Sequence, residues 1–192
     1  MGAHPLGEKG PVTVRAFFGL PLPETHRESF EPFLARCAAA APEFRWVPAP
    51  NLHLTIRFLG HVEPAVALAI AGAVEAGRPE GFEVQLGALG TFKRGRLARV
   101  VWLGLAAGSE PAAALASAVE ARCREAGLEP ESRAFSAHLT LARARARDGA
   151  ALPELGSPPA LPAWRAGELI LYRSRLGRAG SLYEPLETIR LS

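Results

Sequence analysis

The chain carries one short pattern twice, and this repeat constrains the fold more than any other feature. His53-Leu54-Thr55-Ile56 and His138-Leu139-Thr140-Leu141 each place leucine, threonine and an aliphatic residue after a histidine, and a little under half of the chain separates them. Both copies alternate polar and apolar residues, which is typical of a half-buried β-strand. The repeat therefore predicts two matched lobes, related by a pseudo-twofold axis, whose short strands face each other.

Strand geometry places the polar residues of the two copies together. Because successive side chains point to opposite faces of a strand, His53 and Thr55 share one face, and His138 and Thr140 share another. The aliphatic residues would pack against helices, and the polar pairs would line a common cleft. A single histidine in a strand is more often structural. A polar row repeated on two facing strands, however, costs stability unless it is satisfied or used.

Two histidines and two threonines suit acid–base chemistry on a phosphodiester. The ordinary pKa of histidine, about 6.5, allows one ring to act as general base and the other as general acid. The threonine hydroxyls can donate hydrogen bonds to anionic oxygens. These groups fit an in-line attack, with a base on one side of phosphorus and an acid on the leaving oxygen opposite. Such a scheme requires no metal and no cofactor.

The remaining chain alternates predicted strands and helices. Strands are predicted over residues 12–20, 52–59, 82–86, 99–105, 137–142, 168–174 and 183–191. Helices are predicted over 24–40, 64–76 and from an N-cap at Ser109 to Gly127, with loops at 90–98 and 147–163 and a turn at 177–180. Isolated prolines and polar residues in the strands argue against a buried parallel sheet and favour an α+β fold with antiparallel sheets and helices outside. Residues 1–11 are expected to form a flexible tail, and residues 12–192 a single domain with two lobes.

Composition excludes several classes of protein. With 48% hydrophobic and 21% charged residues, the chain is too apolar for extensive disorder. Two cysteines by themselves cannot build a disulfide scaffold or a four-ligand zinc site, and His53, His61 and His138 with Cys37 or Cys123 lack a familiar zinc spacing. No stretch suits a membrane span or a signal peptide, so a cytoplasmic monomer is expected. The arginine-rich composition, poor in amides, fits either a thermophile or a GC-rich genome.

The residues around both motifs resemble the 2H phosphoesterase superfamily, and within it the RNA 2′,3′-cyclic phosphodiesterases, also called 2′-5′ RNA ligases. The resemblance extends over about residues 12–191. It includes Arg15–Phe18, Trp46–Pro48, Asn51–Thr55, Phe58–Gly60, Gly87–Phe92, Val101–Gly104, Phe135–Arg143, Leu171–Ser174 and Tyr183. It implies a two-lobed α+β fold in which two antiparallel sheets form a V-shaped cleft.

The resemblance also implies an activity and residue roles. Members hydrolyse a terminal 2′,3′-cyclic phosphate on RNA to a 2′-phosphomonoester without metal, and some join tRNA half-molecules, so the expected partners are RNA 3′ ends or tRNA fragments. His53 matches the proton donor to the leaving 3′ oxygen, and His138 matches the base that activates water. Thr55 and Thr140 match the hydroxyls that hold phosphate oxygens. Arg143 matches an arginine expected to contact phosphate, although ideal alternation would turn it away from His138.

Further cations and rings have two interpretations each. Arg57 is expected on the face of His53 and Thr55, where it either extends the anionic pocket or is simply solvated. Phe92 lies in the predicted 90–98 loop and either stacks on a nucleobase or packs in the core. Three arginines in and beside this loop, Arg94, Arg96 and Arg99, either contact RNA or remain solvated.

Two other functions use the same residues. Another 2H activity, such as RNA end joining or cleavage of 2′-5′ oligonucleotides or cyclic nucleotides, would use the same cleft. A non-catalytic RNA-binding module could retain the fold, although two intact motifs argue against it.

Overall fold

The computed structural model describes residues 12–177 and 180–192, in which three helices pack against antiparallel strands. The helices are α1 (Glu24–Ala40), α2 (Pro64–Ala76) and α3 (Ser109–Glu125). The strands are β1 (Val14–Pro21), β2 (Phe44–Trp46), β3 (His53–Val62), β4 (Phe82–Arg94), β5 (Leu97–Ala107), β6 (Leu139–Ala144), β7 (Trp164–Ala166), β8 (Glu168–Gly177) and β9 (Gly180–Arg190). The predicted tail at residues 1–11 lies outside the described residues, as does part of the predicted turn at 177–180.

The strands form a continuous antiparallel sheet with two matched halves. The first half has the order β3-β1-β8-β9, and the second has the order β6-β5-β4-β7, with β2 also paired to β6. The halves meet between β3 and β6, where Leu54 and Leu139 are the paired residues. The predicted α+β fold is confirmed, and the two predicted sheets are these two halves. The first half is completed by β8 and β9 from the C-terminal part of the chain, which returns beside β1.

The helices tie the two halves together. α1 follows β1 of the first half but contacts β2, and its buried His26 bonds to the Pro162 carbonyl and packs on Trp164 of the second half. α3 lies in sequence between β5 and β6 but contacts β3 and α2. The buried apolar residues of both halves form one continuous core. The helices therefore connect the two halves of the sheet as well as packing against them.

Helix positions follow the sequence pattern closely. The predicted helices 24–40 and 64–76 are confirmed at both ends, the second with Pro64 in its first turn. The third helix begins one residue earlier than predicted, because Gly108, at φ 92°, is its N-cap and Ser109 is its first residue. No described helix is long and apolar enough to cross a membrane.

The predicted loop at 90–98 is wrong. β4 continues to Arg94 and β5 begins at Leu97, so the two strands form a hairpin closed by Gly95 and Arg96. Gly95 has a φ of 58°, which glycine adopts without a side-chain clash. The arginine and glycine content that indicated a loop therefore belongs to the end of a long hairpin. Residues 151–163 are irregular, as predicted.

Candidate active site

The two repeated motifs meet where the halves of the sheet join. Leu54 and Leu139, which each follow a motif histidine, are antiparallel partners with buried side chains. Continuing this register by one residue in each direction sets His53 opposite Thr140 and Thr55 opposite His138. His53 is the first residue of β3, whereas His138 lies just before β6 rather than inside a strand as predicted. Each motif histidine thus lies opposite the threonine of the other motif, as a pseudo-twofold axis through the Leu54–Leu139 pair requires.

His53 is held by the backbone and by aromatic rings. Its Nδ1 lies 2.8 Å from the Asn51 carbonyl oxygen, and its Nε2 lies 3.0 Å from the Thr55 hydroxyl. The ring centroid lies 4.7 Å from that of Phe17 and 5.2 Å from that of Tyr183, which meets it edge-on. Gly19, the partner of Thr55 in β1, makes room for the ring, since a Cβ there would lie 3.2 Å from His53 Cδ2.

His138 has a matching backbone contact and a more open nitrogen. Its Nδ1 lies 2.7 Å from the Ser136 carbonyl oxygen, two residues earlier, as in His53. Phe92 and Trp102 flank the ring at centroid distances of 5.2 Å and 6.1 Å. Within the described part of the chain, no group hydrogen-bonds to Nε2 of His138.

The two carbonyl contacts define the protonation of both rings. A carbonyl oxygen only accepts hydrogen bonds, so Nδ1 of each histidine carries the hydrogen and Nε2 of the neutral ring is an acceptor. The Thr55 hydroxyl therefore donates to Nε2 of neutral His53. Nε2 of neutral His138 keeps its lone pair available, which is the state required of a general base.

Burial keeps both histidines neutral in the free protein. It lowers the pKa of His53 to about 4; the Asn51 carbonyl opposes this, and the charges of Arg143 and His138 add to it. Burial also lowers the pKa of His138, with a further contribution from Arg143. Arg143 and the two histidines therefore lie within electrostatic range of one another. A bound anion would reverse these effects, because negative charge favours the imidazolium form.

A β-bulge turns Arg143 into the cleft. In the β5–β6 pair, Trp102 is opposite Thr140 and Val101 is opposite Ala142, so Leu141 is an extra residue on β6. An extra residue shifts the alternation by one, and Arg143 therefore returns to the face of Thr140. Ideal alternation would turn Arg143 away from His138, and a phosphate contact required the strand to depart from it; the bulge at Leu141 is that departure.

The corresponding bulge in β3 turns Arg57 the other way. Thr55 is opposite Gly19 and Arg57 is opposite the buried Phe18, so Ile56 is the extra residue. The Arg57 guanidinium accordingly leaves the face of Thr55 and pairs with Glu120 of α3 and with Glu131. Its side chain is only 10% exposed. The prediction that Arg57 shares the face of His53 is wrong, and the structure does not support a role in RNA contact.

Phe92 lies in β4, not in a loop, and borders the cleft. Its ring is 41% exposed and meets the edge of His138 while packing against Trp102, 5.2 Å away. Core packing of Phe92, the second of the two interpretations, is therefore excluded. A matching ring, Tyr172 on β8, lies 5.1 Å from Phe17 beside His53. Sequence reasoning missed Tyr172, Tyr183 and Trp102 as neighbours of the histidines, because only the pairing register brings their strands to the cleft.

The described residues contain no group of three or more histidine, cysteine, aspartate or glutamate side chains placed to hold a metal ion. Cys37 on α1 and Cys123 on α3 are both buried free thiols.

Comparisons with known proteins identify close relatives over most of the chain. The family model of the 2′-5′ RNA ligase superfamily matches residues 23–178. RNA 2′,3′-cyclic phosphodiesterase of Escherichia coli is 34% identical over 90% of this chain and 94% of its own length. The enzyme of that name from Methanothermobacter thermautotrophicus is 31% identical over 94% of this chain and 100% of its own.

The fold comparison agrees with the sequence comparison. The crystal structure of Escherichia coli LigT complexed with 3′-AMP matches with a TM-score of 0.81 and 29% identity, covering 94% of this chain and 99% of that one. The resemblance inferred from the motifs is thereby confirmed, and the chain belongs to the 2′-5′ RNA ligase superfamily of 2H phosphoesterases.

Proposed function

We propose that this chain hydrolyses a terminal 2′,3′-cyclic phosphate on RNA to a 2′-phosphomonoester. The observation that carries the proposal is the meeting of two His-Leu-Thr motifs at the Leu54–Leu139 pair, with both Nδ1 atoms held by backbone carbonyls. The relatives named RNA 2′,3′-cyclic phosphodiesterase support the same activity. RNA 3′ ends, including tRNA fragments, are the proposed substrates.

The contacts of the two rings favour one division of labour. Nε2 of His138 has its lone pair available and takes a proton from the attacking water, whose oxygen forms the new bond to phosphorus. The bond from phosphorus to the 3′ oxygen breaks on the opposite side, and His53 supplies the proton that this oxygen takes up. Thr55, Thr140 and Arg143 hold the non-bridging oxygens as charge builds up on them.

The low pKa of His53 requires the substrate to take part in its protonation. At about 4, the pKa leaves the ring neutral in the free protein near pH 7. The phosphate anion bound between the two motifs raises this pKa, since its negative charge favours the imidazolium. His53 therefore takes up the proton that it later donates only when substrate is bound.

The test is hydrolysis of an RNA with a 2′,3′-cyclic phosphate end in the presence of EDTA, with the product identified by ³¹P NMR. His53→Ala and His138→Ala should each lower kcat/KM at least about 100-fold, the scale of lost general acid–base catalysis. His61→Ala is the matched control, because His61 is exposed on β3 and lies away from the motifs. Wild-type turnover in either motif variant, or release of only the 3′-phosphomonoester, would contradict the proposal.

RNA end joining is a second candidate, favoured by the match to the 2′-5′ RNA ligase superfamily. Joining through a 2′-5′ linkage would use the same two histidines, with an RNA hydroxyl in place of water. Incubating paired RNA fragments with the protein and assaying for joined product would distinguish the two reactions. Either reaction needs residues from only one chain, so we propose that the protein acts as a monomer. We also propose that it acts in the cytoplasm.

A further inference from the structure

A small cavity rich in arginine lies directly beside Arg143. Its volume is about 170 Å³, and four of its lining residues are Arg99, Arg143, Arg145 and Arg147, with only alanine and valine between them. It lies at the end of β5 and β6 beyond the bulge at Leu141. The cavity is therefore continuous with the cleft through Arg143, which belongs to both.

A second bulge exposes Arg99 to this cavity. In the β4–β5 hairpin, Phe92 is opposite Val100 and Lys93 is opposite Ala98, so Arg99 has no partner in β4. Arg99 also lies close enough to Arg143 for its charge to lower the pKa of that guanidinium, in addition to the larger effect of burial. Of Arg94, Arg96 and Arg99, which the sequence offered as RNA contacts, Arg99 alone lines the cavity.

The positive charge of the cavity is not neutralised from within. Within residues 12–177 and 180–192, no acidic residue lines it, and the neighbouring Asp148 is paired with Arg94. Arg145 donates from Nε to the Pro42 carbonyl, which is an uncharged contact and leaves its charge uncompensated. Like-charged guanidinium groups repel one another, so several of them around one concave space favour an anion there.

The position of the cavity identifies the kind of anion. In the first half of the sheet, the bulge at Ile56 makes Phe58 the equivalent of Arg143, so the two halves differ in charge at matched places. Thr140 is opposite Trp102 and Arg143 is opposite Val100, two residues along β5. At about 3.3 Å per residue, the cavity begins roughly 7 Å beyond Thr140, which is far enough for the next phosphate of the RNA. Arginine is well suited to a phosphate group, because its planar donors match phosphate oxygens.

We propose that this arginine cavity binds the phosphodiester on the 5′ side of the terminal nucleotide. The substrate is then an oligonucleotide end, and a nucleoside 2′,3′-cyclic phosphate lacks the second contact. This inference rests on the proposed function and adds the direction in which the RNA leaves the cleft, over the second half of the sheet.

The experiment compares a dinucleotide ending in a 2′,3′-cyclic phosphate with the corresponding nucleoside 2′,3′-cyclic phosphate. Wild-type kcat/KM should be higher for the dinucleotide by about tenfold or more, the value of a charged hydrogen bond. Arg99→Gln and Arg147→Gln should each remove most of this preference and leave nucleoside turnover unchanged. Arg94→Gln is the matched control, since Arg94 lies on the same hairpin but pairs with Asp148.

Salt dependence provides a second readout. In wild type, kcat/KM for the dinucleotide should fall more steeply with salt than that for the nucleoside, with a slope difference of about 0.7 per phosphate contact in logarithmic units. The inference would be overturned if Arg99→Gln and Arg147→Gln kept the wild-type preference for the dinucleotide and the wild-type salt dependence of kcat/KM. The proposed function would still stand. Turnover of neither substrate by wild type would overturn both.

Discussion

Burial of the His53 ring links the chemistry of the cleft to the stability of the fold. In the unfolded chain this histidine takes up a proton near pH 6.5, but in the folded protein its pKa is about 4. Between these values the unfolded state binds more protons, so the free energy of unfolding falls as the pH is lowered through this window. The full effect is about 3 kcal/mol, since each pKa unit corresponds to about 1.4 kcal/mol.

The expected result is a smaller loss of stability on acidification when residue 53 cannot titrate. Urea unfolding of wild type and His53→Gln at pH 7 and pH 4.5 measures this directly, since all other groups are common to both proteins. Wild type should lose more unfolding free energy than the variant between the two pH values. The same loss in both proteins would show that His53 titrates normally in the folded state.

At the same scale, the sequence predicted the identity of the central residues better than their surroundings. The repeat alone predicted that His53 and His138 lie in one site, because both copies of the His-Leu-Thr motif can be read directly from the sequence. The orientations of Arg57 and Arg143 could not be predicted, since each depends on an extra residue in a strand pairing, at Ile56 and Leu141. A bulge changes which face a side chain occupies without leaving a mark in the hydrophobic pattern.

Among the elements, the β4–β5 hairpin supports the His138 side of the cleft through a glycine. Gly90 is opposite Trp102, and a Cβ at Gly90 would lie 2.4 Å from Cη2 of that ring. Trp102 in turn contacts Phe92 and faces His138. The absence of a side chain at Gly90 therefore leaves the space that the Trp102 ring occupies beside the cleft.

Gly90→Ala should displace Trp102 and thereby lower both stability and activity. We expect a loss of about 1–3 kcal/mol in unfolding free energy, the usual cost of overpacking, and a reduced kcat on a cyclic phosphate substrate. Gly72→Ala is the control, because no atom lies within 4 Å of a Cβ at this position in α2, where alanine favours the helix. Urea unfolding and tryptophan fluorescence measure the effect; a stability of Gly90→Ala equal to that of wild type would contradict it.

Over the whole molecule, the two halves of the sheet are interlocked rather than placed side by side. α1 follows a strand of the first half and packs by β2 of the second, while α3 follows β5 of the second half and packs on β3 of the first. One apolar core includes Leu54 and Leu139 on either side of the junction. Alternating helices and strands predicted the α+β class, but this exchange could not be predicted, because long-range pairings such as β1–β8 and β2–β6 depend on the complete fold.

Interlocking predicts that the halves unfold together, and the two cysteines can test it. Cys37 lies on α1 and Cys123 on α3; both are buried, and burial raises the pKa of Cys123 to about 11 and that of Cys37 above its ordinary value. Neither thiol should react in the folded protein, since the thiolate is the reactive form.

Cys123→Ala leaves Cys37 as the reporter, and Cys37→Ala leaves Cys123. In each variant, the urea midpoint of pulsed thiol labelling should coincide with the midpoint of its own circular dichroism transition. Labelling of one cysteine at clearly lower urea than the loss of circular dichroism would mean that its helix, and the half it covers, opens independently.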